Sequence, residues 1–202
     1  MTPAQSDRCP WPGINDPVYA RYHDEEWGVP LTDDRALFEK LVLEGFQSGL
    51  SWLTILKKRD NFRRAFHNFD TVKIARYGAR DVDRLMNDAG IVRNKLKIEA
   101  TIDNAKACLA LAKHQSLSHF IWGFIEGPPI QNKLHTLKDA PALSELSTRI
   151  SKALKAEGFR FVGPTTIYAF MQSSGMVNDH LVSCPRHAAC AKLQKTMTVP
   201  GR

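Results

Sequence analysis

The stretch TDDRALFEKLVLEGFQSGLSWLTILKKRDNFRRAF, residues 32–66, decides the fold class. Its apolar residues recur at helical spacing: Leu37, Phe38, Leu41 and Val42 share one face, then Trp52, Ile55 and Leu56 share another. Thr32 reads as an N-cap, with Asp33 and Asp34 in a first turn where negative charge suits the helix dipole. That helix runs toward Gly45, and Ser51 caps a second one reaching about Phe66.

The same pattern continues outward. Asp81 to Ala89 reads as a short helix ended by Gly90 in the left-handed position. Asn94 caps a long helix with Ile98, Ile102, Ala105, Leu109 and Ala112 toward a core. Leu117 to Ile125 precedes the break at Gly127-Pro128-Pro129, and Leu146 to Glu157 is stopped by Gly158. Thr165 to Ser174 is apolar nearly all round, hence buried, and stops at Gly175. Few stretches alternate with period two. About eight helices joined by short Gly, Pro and Asn turns predict an all-α bundle rather than an α/β sheet.

A length of 202 residues suits one domain, expected over residues 1–184, with 185–202 as a basic and flexible tail. Hydrophobic residues at 43% supply a sizeable core and exclude a disordered chain. The longest apolar runs, such as Leu41-Val42-Leu43, fall far short of the ~20 residues of a membrane span. Met1 to Trp11 contains no apolar signal segment. Together these predict a soluble, cytoplasmic protein with no membrane partner. The net charge of +7 invites a nucleic-acid reading. The tail alone, with Arg186, Lys192, Lys195, Arg202 and no acid, supplies four of those charges, so charge by itself does not decide the matter. Without a signal segment, Cys9, Cys108, Cys184 and Cys190 read as core thiols or metal ligands rather than a disulfide framework.

His180 and Cys184 are spaced H-x3-C, which on a helix places both on one face. With Cys9 and His23 from the other end of the chain they make a Cys2His2 set suited to closed, tetrahedral, structural zinc. His187 and Cys190 are rival ligands, and a surface His beside a buried Cys accounts for the spacing equally well. A catalytic metal would need an open position and a nearby base; His23-Asp24-Glu25-Glu26 lacks the second His of H-E-x-x-H. Cys108, between Ala107 and Leu109, reads as a core thiol.

Trp11, Tyr19, Tyr22 and Trp27 crowd an otherwise polar N-terminal region. They either pack under the bundle or line a slot for a flat ligand. Glu44 sits near the apolar face of its helix, where an acid must be paired or serve a ligand. Asp88-Ala89-Gly90-Ile91-Val92 between two helices is either an ordinary turn or a hairpin offering N–H groups to a phosphate, with Arg93, Lys95 and Lys97 just beyond. Lysines there are solvated or phosphate-facing by default.

Five segments, in order, carry a resemblance. They are Tyr22-His23-Asp24-Glu25-Glu26-Trp27-Gly28-Val29-Pro30; Leu43-Glu44-Gly45 through Gly49-Leu50-Ser51-Trp52 to Arg59; Asp88 to Arg93; Phe161-Val162-Gly163-Pro164-Thr165-Thr166 through Gln172; and Val177-Asn178-Asp179-His180 with Cys184. From Arg8 to Cys184 the chain resembles the bacterial 3-methyladenine DNA glycosylase I family. The resemblance implies the helix-hairpin-helix glycosylase fold and hydrolysis of the N-glycosidic bond of 3-methyladenine in alkylated double-stranded DNA. Products would be the free base and an abasic site, with no lyase step. It implies one structural zinc on Cys9, His23, His180 and Cys184, tying the two ends of the chain together. It implies a base pocket of Glu44, Tyr22 and Trp52 with Trp11 and Trp27 nearby. Gly49 and Leu50 would approach the gap left by the flipped base, and the hairpin around Gly90 with Arg93 would hold the DNA backbone. A monomer and no organic cofactor are expected. The sequence departs from the family at Phe46, a change expected at the pocket rim.

A base inside a duplex cannot be reached, so the nucleotide must be extruded at a cost of a few kcal/mol. The 3-methylated adenine nucleotide is cationic, which aromatic faces favour by about 0.5–2 kcal/mol. Glu44 balances that charge, but the charge is lost as the base departs, so its role falls mainly in recognition. No residue stands out as the base for water; Asp103 reads as a surface helix residue. A DNA-binding protein that has lost excision, or a zinc hydrolase on a helical bundle, are the rival classes.

Overall fold

The computed structural model describes residues 7–200. The start of the segment without a signal pattern and the tail charge Arg202 lie outside the described residues. Among the described residues, ten α-helices run in order: α1 Pro17–Glu25, α2 Asp34–Gln47, α3 Trp52–Ala65, α4 Thr71–Ile74, α5 Ala79–Met86, α6 Lys95–Leu111, α7 Leu117–Trp122, α8 Glu145–Ala156, α9 Pro164–Ser173 and α10 Pro185–Thr196. The all-α expectation holds. No described helix is long and apolar enough to cross a membrane.

Caps place most of the helices. Ser51 and Asn94 accept from the N–H groups of Thr54 and Lys97, as their side chains dictate. Asp33, rather than Thr32, caps α2, accepting from the Ala36 N–H at 2.9 Å; its carboxylate adds charge to the hydrogen bond. α5 ends at Met86, and Gly90 is not left-handed: the turn after Asn87 is set by Asp88, which accepts from the Gly90 N–H at 2.7 Å. On α6, Cys108 and Leu111 are buried whereas Leu109 is half-exposed and Ala112 exposed, because the last turn rotates past the core. α7 stops at Trp122, three residues early.

α2 is the central helix. It packs against α3, α6, α7 and α9, and nine of its residues are buried, including Lys40 and Glu44. Phe46, expected at a pocket rim, lies fully buried against Phe62 and Phe66, with ring centroids 4.8 and 6.1 Å away. α9 buries Ile167, Tyr168, Phe170 and Met171, as its all-round apolar sequence requires.

One feature escapes helical periodicity. Ile130–Gln131 (β1) and Val177–Asn178 (β2) form a two-residue parallel pair, extended by a bridge between Leu134 and Leu181. Two residues are too few to show alternation. Beside it, Gly175 takes φ +73°, and a Cβ there would lie 2.5 Å from the backbone of Val29 and Pro30. Only glycine lets the α9–β2 turn meet the N-terminal segment so closely. Hydrogen bonds from Gly28 to Gln172 and from Leu31 to Ser174 complete that seam.

Where a flexible tail was expected, the described residues Pro185–Thr196 form a helix, α10. α10 buries Cys190 and Gln194, and Gln194 Nε2 donates to the Gly28 carbonyl at 2.8 Å. Lys192 and Lys195 sit on its exposed face, whereas Arg186 lies on the docked side, with Nη2 3.6 Å from Cys190 Sγ.

Candidate active site and metal centre

α1, α2 and α3 bring the expected aromatic and acidic residues to one cavity of roughly 300 Å³. Tyr19 and Tyr22 come from α1, Trp27 follows it, Glu44 lies near the end of α2, and Trp52 opens α3. Trp11 meets Tyr19 at 5.0 Å and Trp27 edge-on at 4.6 Å; Tyr22 meets Trp52 at 5.5 Å. Aromatic packing and a slot are therefore one arrangement, because rings that pack edge-on leave faces toward the cavity. The indole N–H of Trp52 is buried with no partner among the described residues.

Glu44 is 4% exposed, and loss of hydration pushes its pKa up to about 7; Lys40 one turn earlier and the Ser173 hydroxyl pull the other way. The same burial, then the charge of Glu44, raises the Tyr22 phenol well above its ordinary range. Lys40 is buried too. Its ammonium lies 4.9 Å over the Tyr22 ring and 3.8 Å from Glu26, which Arg59 grips with two bonds of 2.6 and 2.8 Å. Sequence reading passed over Lys40; its i, i+4 spacing to Glu44 was the available signal.

Three further polar residues line the cavity without having been singled out: Gln47 at the end of α2, Gln172 of α9 and Asp179 after β2. Asp179 is 3% exposed and accepts from Tyr168 (2.8 Å), Gln172 (2.7 Å) and Asn132 (2.6 Å). Periodicity could not find it, because its partners come from α9 and from Asn132 just after β1, which no single element joins. Asp103, by contrast, pairs with Arg160 at the surface, 2.6 Å away.

Behind Trp11 and Trp27 the four expected ligands converge. Cys9, His23, His180 and Cys184 are all buried, with ligand atoms within 4.8 Å of one another. Cys184 Sγ lies 3.7 Å from His23 Nε2 and 3.8 Å from His180 Nδ1; Cys9 Sγ lies 3.7 Å from His180 Nδ1. His180 and Cys184 do not share a helix. They span a turn closed by the Cys184 N–H on the Leu181 carbonyl, and Pro185 at the first position of α10 starts the helix only afterwards. His23 Nδ1 meets Asp24 at 2.9 Å, Arg8 holds Asp24 in turn, and His180 Nε2 meets the Trp27 carbonyl at 2.9 Å. Each ring thus keeps its other nitrogen for the cluster. The hydrogen bond with Cys9 holds the Cys184 thiol well below its ordinary range. The rivals stand apart: His187 meets the Asn132 carbonyl and Cys190 lies under Trp27. Cys108 is a buried thiol pushed up to about 11 by desolvation.

The remaining expected residues, Gly49, Leu50, Gly90 and Arg93, are not among those that line the cavity. Gly49 takes φ +83°, and Leu50 is 43% exposed. Arg93 is exposed after the 87–94 turn. Gly90 lies against Asn61 of α3, where a Cβ would come within 3.1 Å, and Lys58 and Asn61 donate to the carbonyls of Ala89 and Gly90.

Fold and cavity together define an all-helical glycosylase. A model of the methyladenine glycosylase family matches residues 11–187. The chain belongs to that family. It is 51% identical over 179 residues to a DNA-3-methyladenine glycosylase of Haemophilus influenzae, covering 88% of this chain and 96% of the relative. A crystal structure of 3-methyladenine DNA glycosylase I superposes with a TM-score of 0.86 at 48% identity, covering 88% of this chain and 98% of that one. Another, a tyrosine-to-phenylalanine variant in complex with 3-methyladenine, superposes with a TM-score of 0.82 at 40% identity, covering 86% and 94%.

Proposed function

We propose that this protein excises 3-methyladenine from alkylated double-stranded DNA by hydrolysing the N-glycosidic bond, leaving an abasic site. The observation that carries the reading is the buried carboxylate of Glu44 in an aromatic-walled cavity. A flat, cationic base extruded into it stacks on Tyr22 and Trp52, with Trp11 and Trp27 completing the wall. The ionised Glu44 accepts from the exocyclic amine and balances the charge. A neutral adenine offers no such charge and leaves the carboxylate buried and uncompensated. Cleavage sends the glycosidic electron pair to the base, which leaves neutral, and water adds to the sugar cation and releases a proton to solvent. The leaving group is already good, so the chain's residues mainly bind, orient and exclude bulk water.

Cys9, His23, His180 and Cys184 suit a structural zinc. Three of the six donor–donor distances, at 3.7–3.8 Å, approach the edge, about 3.6 Å, of a tetrahedron built on ordinary zinc distances, and all four donors lie within 4.8 Å of one another. With four protein donors the site is closed, and its work is to hold Trp11 and Trp27 against the cavity. Gly49 and Leu50 approach the gap in the duplex. The turn bearing Gly90 and Arg93 holds the DNA backbone as a helix-hairpin-helix; Gly90 serves by its close approach to α3, since its own N–H is given to Asp88.

The test is release of free bases from methylated duplex DNA, resolved by chromatography, for the native chain and Glu44→Ala. The native chain is expected to release 3-methyladenine and the variant to lose at least tenfold, a deficit of about 1.4 kcal/mol. No release by a folded native chain would leave a DNA-binding protein as the better account.

A further inference from the structure

Lys97 does not behave as a helix-surface lysine. It stands in the first turn of α6, where its N–H donates to the capping Asn94 at 3.1 Å. Its side chain is 7% exposed. The ammonium donates to the carbonyl oxygens of Phe46 (2.8 Å) and Ser48 (2.7 Å), with the Phe161 ring 6.0 Å away. Those carbonyls close α2, where the last turn has no intrahelical partners and a cation suits the dipole. Immediately beyond, Gly49 turns the chain at φ +83°, the Leu50 N–H returns to the Gln47 carbonyl at 2.6 Å, and Leu50 protrudes. The joint is tight: a Cβ at Gly45 would sit 3.3 Å from Phe161.

The other end of Lys97 belongs to the DNA-holding turn. α6 starts directly after residues 87–94, which Lys58 and Asn61 fix to α3. One side chain therefore joins the start of α6 to the loop that carries Leu50. We propose that Lys97 is a positioning residue for base extrusion: it fixes Ser48-Gly49-Leu50 relative to the hairpin, so that Leu50 meets the duplex when the hairpin grips the backbone. This rests on the glycosylase reading above.

Lys97→Met keeps the buried stem and removes the donors. Duplex kcat/KM for base release is expected to fall roughly tenfold to a hundredfold, the scale of a misplaced positioning group. Affinity for free 3-methyladenine, read by tryptophan fluorescence, stays within about twofold because Lys97 is not among the residues that line the cavity. In the Leu50→Ala background the second change adds little, since both act through one loop. The salt dependence of binding to abasic duplex DNA keeps its slope; a slope smaller by about one would make Lys97 a phosphate contact instead. Unchanged duplex turnover, an equal loss of free-base affinity, or additivity with Leu50→Ala would each overturn the proposal. Should Lys97→Met melt below the assay temperature, Lys97→Gln, which keeps a donor group, is expected to show the same split at smaller size. A native chain that released no base would sink the glycosylase reading itself, and this proposal with it.

Discussion

A carboxylate sealed from water near the end of α2 has a definite pH signature. Burial raises the Glu44 pKa from 4.5 to about 7 in the free protein. The folded chain therefore holds a proton between those values that the unfolded chain has lost, and stability falls as pH rises through that window. Recognition of a cationic base needs the ionised form, so activity runs the other way. kcat/KM on methylated duplex DNA, which reports free-enzyme groups, is expected to rise with pH and level off above about 7. Glu44→Gln is expected to lower the plateau and remove that rising limb. A limb that survives in Glu44→Gln belongs to another group. The position of Glu44 near an apolar face was readable from spacing alone. Asp179 was not: its three donors come from α9 and from beside β1, and no local pattern joins them. Phe46 misled because a departure from family pattern carries no direction. Beside Phe62 and Phe66, the aromatic ring fills core.

Among the elements, α10 separates what composition says from what packing does. The segment after Cys184 is basic and has little amphipathic pattern, yet every fourth residue from Arg186 falls on the docked face: Cys190 and Gln194 are buried while Leu193 and Lys195 face out. Gln194→Ala would leave the Gly28 carbonyl buried without its donor, at a cost of about 1–3 kcal/mol. For a chain of this length that lowers Tm by roughly 2–10 °C. Leu193→Ala, on the exposed side, is expected to move it little. Equal and negligible shifts in both variants would mean a detached tail. The long helices were legible because capping side chains and apolar stripes coincide, as at Ser51 and Asn94. α1 and α4 were missed: only Tyr22 and His23 of α1 are buried, and the four residues of α4 make barely one turn, so neither shows a stripe. The β1–β2 pair was missed for the same reason.

At the scale of the whole molecule, the Cys9, His23, His180 and Cys184 cluster joins the two ends of the chain. Cys9 and Cys184 close a loop that spans most of the sequence, and the seam at Gly175 runs beside it. A crosslink closing so long a loop removes about 5 kcal/mol of unfolded-state entropy on a simple chain model. A metal on these four groups acts as such a crosslink, binding the folded state alone. Stripping zinc with a chelator is therefore expected to lower Tm by roughly 10–20 °C. Base release at low temperature is then expected to decline with the folded fraction and with the affinity of the cavity for the base. Trp11 ties the two effects together: its ring lies 4.9 Å from His23 and 4.6 Å from Trp27, so loosening the cluster loosens one wall of the cavity. The affinity for free 3-methyladenine is expected to weaken along with Tm and to recover on zinc addition. Loss of turnover at an unchanged Tm would instead place the metal in the chemistry, which four protein donors around a closed site leave no room for.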